Sequence, residues 1–114
     1  MSRAAGATAE RLAADYLEHH LGFRLLESNY TCKGGEIDLV CDDAGTLVFV
    51  EVRARKDARH GAPEETVGRT KQRRLIHAAR HYLMKRKIED RACRFDVVAI
   101  EGTTVRHFPD AFQS

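Results

Sequence analysis

The sequence predicts an α/β fold, a mixed β-sheet flanked by helices, on three observations. Apolar residues near the N-terminus, and again after residue 66, recur at three- and four-residue steps, the period of a helix. Between these segments and after the second lie short runs rich in β-branched residues, bounded by Gly, Asp and Asn, as strands are. The resulting order of helix, three strands, helix and two strands calls for one sheet with helices packed against it.

Over residues 2–21 the apolar or small residues Ala5, Ala9, Leu12, Ala13, Tyr16 and Leu17 share one helical face, and Gly22 supplies a stop. Glu10 falls at the edge of that stripe. Residues 23–30 read as a first strand, broken by residues 31–35, where Gly34-Gly35 is loop chemistry or allows a ligand backbone to come close. Ile37, Leu39 and Val40 begin a second strand, Asp42-Asp43-Ala44-Gly45 is a turn, and Leu47 to Val52 forms a third strand. Residues 56–63 are polar, aperiodic and contain Gly and Pro, the pattern of a mobile loop, and His60 within them reads as a surface residue. Residues 66–87 are helical, with Leu75, Ile76, Ala78, Ala79, Tyr82 and Leu83 on one face and Glu64-Glu65 ahead of the positive end of the helix dipole. Residues 94–100 and 104–108 read as the last two strands, and Pro109-Asp110-Ala111-Phe112 as one closing helical turn.

With 114 residues the expectation is a single domain over residues 1–114. Hydrophobic residues at 43% and charged residues at 32% indicate a water-soluble protein, and no window has the length or apolarity of a membrane span or secretory leader. Cys32, Cys41 and Cys93 are odd in number and far apart, which suits neither a disulfide framework nor a zinc cage and points to a reducing cytoplasm. His77 and His81, four apart on the second helix, lack the Glu of a His-Glu-x-x-His zinc site. The net charge of +2 conceals a polarised chain: residues 53–94 carry 14 Lys or Arg against 5 acids, and the remainder 5 against 12. A basic segment beside an acidic one suits a polyanion held over a cation site, with Arg55, Lys71, Arg73 and Arg74 as candidate phosphate contacts.

The chemically unusual stretch is the hairpin over residues 34–55, which places acids inside what otherwise reads as buried strand. Strand alternation puts Glu36, Asp38 and Val40 on one face with Leu47, Phe49, Glu51 and Arg53. If Asp42 pairs with Leu47, Asp38 and Glu51 are directly opposite, with Cβ atoms about 5 Å apart; a two-residue shift makes them diagonal at about 7 Å. Either spacing suits one shared divalent cation, because two carboxylates brought together repel and lose hydration unless a positive charge offsets them. A solvated Glu/Asp/Arg network on the open face of a sheet is the competing reading.

The run Glu36-Ile37-Asp38-Leu39-Val40, a short acidic turn and Val48-Phe49-Val50-Glu51-Val52-Arg53 resembles the PD-(D/E)XK nuclease superfamily. It looks most like the YraN-like family of predicted endonucleases, which are similar to archaeal Holliday junction resolvases. The likeness spans nearly the whole chain, from the helix carrying Glu10 through Lys71-Gln72-Arg73-Arg74-Leu75 to Arg94-Phe95-Asp96-Val97-Val98. It implies a restriction-endonuclease-like core and a metal-dependent nuclease acting on branched or structured DNA. Asp38 and Glu51 would then hold Mg²⁺ or Mn²⁺, with Glu10 as a third ligand, the Val52 carbonyl in the shell and Gln72 near the reacting water. Where these nucleases carry Lys, this sequence has Arg53, whose guanidinium neutralises charge but stays protonated. A resolvase that cuts two strands symmetrically requires a homodimer. The alternatives are a degenerate nuclease-fold module that binds nucleic acid without cleaving it, with Arg53 paired to both acids, and a protein–protein adaptor.

Overall fold

The computed structural model describes the backbone of residues 2–55 and 67–114, with side chains from residue 8 onward except Arg55. The expected loop at 56–63, His60 and the Glu64-Glu65 pair lie outside the described residues. Elements follow the predicted order: α1 (Ser2–His19), β1 (Arg24–Cys32), β2 (Gly35–Asp43), β3 (Thr46–Arg55), α2 (Arg69–Lys85), β4 (Cys93–Glu101) and β5 (Thr104–Phe112).

The five strands form one mixed sheet in the order β1-β2-β3-β4-β5, antiparallel throughout except for the β3–β4 pair. That parallel pair is joined by the crossover containing α2, as parallel neighbours require a long connection. The helices cover opposite faces. α1 buries Ala9, Ala13 and Leu17 against Leu39, Cys41, Val48, Val50 and Val98. α2 buries Leu75, Ala78, Ala79 and Tyr82 against Tyr30, Ile37, Val40, Leu47 and Phe49. Side chains of β3 thus alternate between the two cores as a doubly covered strand must.

The β2–β3 turn fixes the register. Ala44 (φ 49) and Gly45 (φ 100) both lie in the left-handed region, which a two-residue hairpin loop of this kind demands. Asp42 pairs with Leu47 and Leu39 with Val50, the first of the two registers the sequence allowed. Gly35, which the sequence offered as loop chemistry, begins β2 under α2 instead. A Cβ on Gly35 would sit 2.3 Å from the Arg74 carbonyl oxygen and 3.1 Å from Ala78 Cβ, so only hydrogen fits there.

The C-terminal segment corrects one expectation: residues 109–112 continue β5 and form no helical turn. The register with β4 shifts between Phe95 and Val97, Asp110 turns left-handed (φ 51), and its N–H donates to Asp96 Oδ1 at 2.9 Å. Beyond that bulge Phe112 stacks on Phe95 with ring centroids 5.2 Å apart.

Candidate functional site

Pairing between β2 and β3 stops at Leu39 and Val50, one step before Asp38 and Glu51 would face each other. Asp38 also drops out of the ladder with β1, which steps from Ser28↔Leu39 to Tyr30↔Ile37 past Asn29, itself left-handed at φ 54. Ile37 packs with the α2-side core, whereas Leu39 and Cys41 pack on the α1 side, so the strand turns over at Asp38. Simple alternation had kept Glu36, Asp38 and Val40 on one face. The strands therefore fork at the two acids, and the fork opens between the first half of α1 and the first turn of α2.

A cavity of about 210 Å³ fills the fork, walled by Glu10 of α1, Glu36 and Asp38 of β2, Glu51 of β3 and Lys71 of α2. Asp38 Oδ2 accepts the Val52 N–H at 2.8 Å, and Glu51 Oε2 accepts Lys71 Nζ at 2.8 Å. Glu51 is only 4% exposed. Asp38 is partly buried, and its carboxyl is pushed up to about 7, first by burial, then by the charge of Glu51 and more weakly by Glu10; the Val52 N–H and Lys71 act in the opposite sense. Four carboxylates thus wall one small cavity with a single ammonium among them. Hard oxygen donors with excess negative charge in a partly desolvated fork fit Mg²⁺ or Mn²⁺ far better than a soft metal. Among the described residues no three His, Cys, Asp or Glu side chains converge as a finished cage. Asp38 and Glu51 border the fork from its two strands, and Glu10 walls it from α1.

A second cavity of about 400 Å³ adjoins the first and shares Glu36, Glu51 and Lys71 with it. It adds Gly68, Thr70 and Arg74 at the start of α2, where the N-cap Gly68 offers no side-chain acceptor. Arg53 follows Glu51 by two on β3, beside Ala99 of β4, and makes no ion pair among the described residues. Arg55 ends β3 opposite Glu101, and its side chain lies outside the described residues.

Gln72 is not brought to the acids. Its amide donates to the Val67 carbonyl at 2.8 Å, and it lines a different cavity with Arg69, Arg73 and Gln113. His77 and His81 also separate: His77 Nε2 lies 3.0 Å from the Lys33 carbonyl and His81 Nδ1 2.5 Å from the Tyr30 hydroxyl, so they do not share a metal. Asp96 is fully buried on the α1 face, away from both cavities. Burial alone would raise its pKa, but His107, Arg94 and the Asp110 N–H together hold it below the ordinary carboxylate value. Its role is to tie β4 to β5. A cavity of about 520 Å³ between α1 and the β4–β5 turn is lined by Asp15, Tyr16, His19 and His20, none of them buried, so it holds no desolvated charge.

Residues 9–100 match the family described as uncharacterised protein family UPF0102. The chain belongs to the UPF0102 family. A UPF0102 protein of Chromohalobacter salexigens is 56% identical over 102 residues, covering 90% of this chain and 81% of that protein. Others from Herminiimonas arsenicoxydans and Psychromonas ingrahamii are 48% and 45% identical, covering 96% and 98% of this chain and 86% and 92% of theirs. The UPF0102 match takes in every residue named on the walls of the two cavities and leaves out β5.

Two features of this UPF0102 site escape a reading by composition. Lys71 looks like one more solvated base on a basic helix, yet it precedes Leu75 by four and Ala78 by seven, which extends the buried stripe by one turn toward the sheet. That spacing was the signal for it. Glu36, exposed at the start of β2, borders both cavities because Gly35 holds that end of the strand against α2.

Proposed function

We propose that this chain is a Mg²⁺- or Mn²⁺-dependent nuclease acting on DNA, with branched or structured duplexes as the substrate class. The observation that carries this reading is the fork: two strands diverge where Asp38 and Glu51 would meet, and their carboxylates border one cavity with a single ammonium for compensation. A five-stranded mixed sheet with one helix on each face suits a restriction-endonuclease-like core, and the site lies where its two central hairpin strands part.

In this mechanism Asp38 and Glu51 would hold the ion, with the Val52 carbonyl and Glu10 as further oxygen donors, and the Val52 N–H orients Asp38. Bound there, the ion supplies Lewis acidity toward a phosphate oxygen and a lowered pKa for an attacking water. Lys71, Arg74 and Thr70 receive the phosphate next to the acids, and Arg53, two residues past Glu51 but on the wall of neither cavity, would neutralise charge on it from farther off. The remaining bases of α2, Arg69 and Arg73 among them, hold the backbone without reading bases. If the substrate is cut symmetrically on two strands, as by a resolvase, two such sites are needed and a homodimer is expected. The described cysteines are all free, in keeping with a cytoplasmic protein, and no helix is long and apolar enough to cross a membrane.

A second reading, DNA binding without cleavage, is favoured by Arg53 at the position where the resembled nucleases have Lys, but the base that neutralises Glu51 is Lys71, and the expected pairing of Arg53 with Asp38 and Glu51 is absent among the described residues. One assay separates the two. Branched, flapped, single-stranded and linear duplex DNA are incubated with Mn²⁺ and either wild type or Asp38→Asn, alongside Mn²⁺ titration of each protein. Cleavage and saturable Mn²⁺ binding, both lost in Asp38→Asn, support the nuclease. Salt-sensitive DNA retention with neither supports the binding module, and absence of DNA retention even at low salt rejects both.

A further inference from the structure

The cation nearest the acids is the protein's own. Lys71 Nζ lies 2.8 Å from Glu51 Oε2, on a side chain 6% exposed, yet the lysine side chain itself is 48% exposed. Its stem leaves the first turns of α2 and borders both cavities, the acidic one with Asp38 and Glu10 and the other with Thr70 and Arg74. A flexible four-carbon stem ending in a freely rotating ammonium can move from one cavity to the other without moving the helix.

We propose that Lys71 is a displaceable counter-ion, which neutralises Glu51 while no divalent ion is present and swings to substrate phosphate in the α2 cavity when such an ion takes the carboxylate. The inference rests on the reading of Asp38 and Glu51 as metal ligands. An ammonium at hydrogen-bond distance from Glu51 and a divalent ion on the same carboxylate repel strongly in a partly desolvated cavity, so the ion's arrival weakens the lysine's hold. The α2 cavity is the ready alternative, since Arg74 and the uncapped helix start favour an anion there for the freed ammonium to meet. Lys71 thus lowers metal affinity in the resting protein and delivers a phosphate-binding charge once the metal is in place. Its removal has opposite effects on the two events.

The test is calorimetric titration of Mn²⁺ into the full chain at fixed ionic strength for wild type, Lys71→Met, Asp38→Asn and the double variant, with circular dichroism to verify folding. Lys71→Met is expected to bind Mn²⁺ roughly tenfold more tightly than wild type, and Asp38→Asn to abolish binding in either background. Lys71→Gln replaces the Met variant if the latter fails to fold. Equal or weaker Mn²⁺ binding by the lysine variant, with wild-type binding still dependent on Asp38, overturns the counter-ion role and leaves the metal site standing. Absence of Mn²⁺ binding in both wild type and the lysine variant overturns the metal site and this inference with it.

Discussion

Replacing Asp38 by Asn is expected to stabilise the metal-free protein, against the usual direction for a partly buried polar residue. Burial and the neighbouring charge of Glu51 hold the Asp38 carboxyl at about 7 instead of its ordinary 3.8. An unfolded chain releases that proton near pH 4, so between about pH 4 and pH 7 the folded state binds more protons than the unfolded one. Stability therefore falls as pH rises through that window and levels off above it. At roughly 1.4 kcal/mol for each pH unit the whole window corresponds to about 4 kcal/mol; water entering the open fork reduces this, leaving about 1–3 kcal/mol. Asn has no proton to lose, and its Oδ1 still accepts the Val52 N–H, so the variant escapes the penalty without orphaning the donor. Urea unfolding in chelator should show Asp38→Asn more stable than wild type by that amount near pH 8, with the gap closing toward pH 4. Added Mn²⁺ should then stabilise wild type alone. A variant less stable than wild type near pH 8, or a gap indifferent to pH, would refute the claim that Asp38 is held in an electrostatically unfavourable place.

Gly35→Ala puts a methyl group 2.3 Å from the Arg74 carbonyl oxygen, so it should cost about 2–3 kcal/mol in urea unfolding, while Gly68→Ala, with nothing within 4 Å, should cost less, about 0.5–1 kcal/mol, through the disadvantage of alanine at an N-cap. Asp96→Asn removes the charge that Arg94 and His107 share, so a loss of about 3 kcal/mol at neutral pH is expected. Because Asp96 is held below its ordinary pKa, that contribution is present above about pH 4 and fades as acid titrates the folded carboxylate, so the deficit of the variant should shrink at low pH. Arg53→Lys should raise Mn²⁺-dependent cleavage by about tenfold or more if loss of a proton-transfer group limits the rate, and an unchanged or lower rate counts against that. Charge removal at Arg73 or Arg74 should weaken DNA binding uniformly across sequences and lower the salt dependence by about one phosphate contact each.

The parts of the site legible in the sequence are those decided within a few residues. Ala44-Gly45 sets a two-residue turn, the turn sets the register, and the register aims Asp38 at Glu51. Lys71 could be placed by helical spacing alone, whereas Gln72, one residue on, is rotated off the buried stripe to the side where Val67 and Gln113 lie. What local pattern does not contain is a backbone group's demand for a partner elsewhere in the chain. Pro109-Asp110 looks like turn chemistry until buried Asp96 is seen to need the Asp110 N–H, and that need carries β5 on to Phe112.

The fork follows the same logic. In a two-residue hairpin closing at Asp43 and Thr46, every second pair exchanges hydrogen bonds, so a ladder continued past Leu39↔Val50 would join the Val52 N–H to the Ile37 carbonyl. That continuation would also bring the carboxylates of Asp38 and Glu51 side by side on a closed sheet, where each disfavours the other's charge. Instead Asp38 Oδ2 takes the Val52 N–H. The residue that ends the ladder thereby satisfies the donor it leaves behind, so the strands can part at Asp38 without a buried amide going unpaired. The opening that results is bordered by both acids, and Gly35 keeps it facing Lys71 by letting α2 rest on the strand just before the parting.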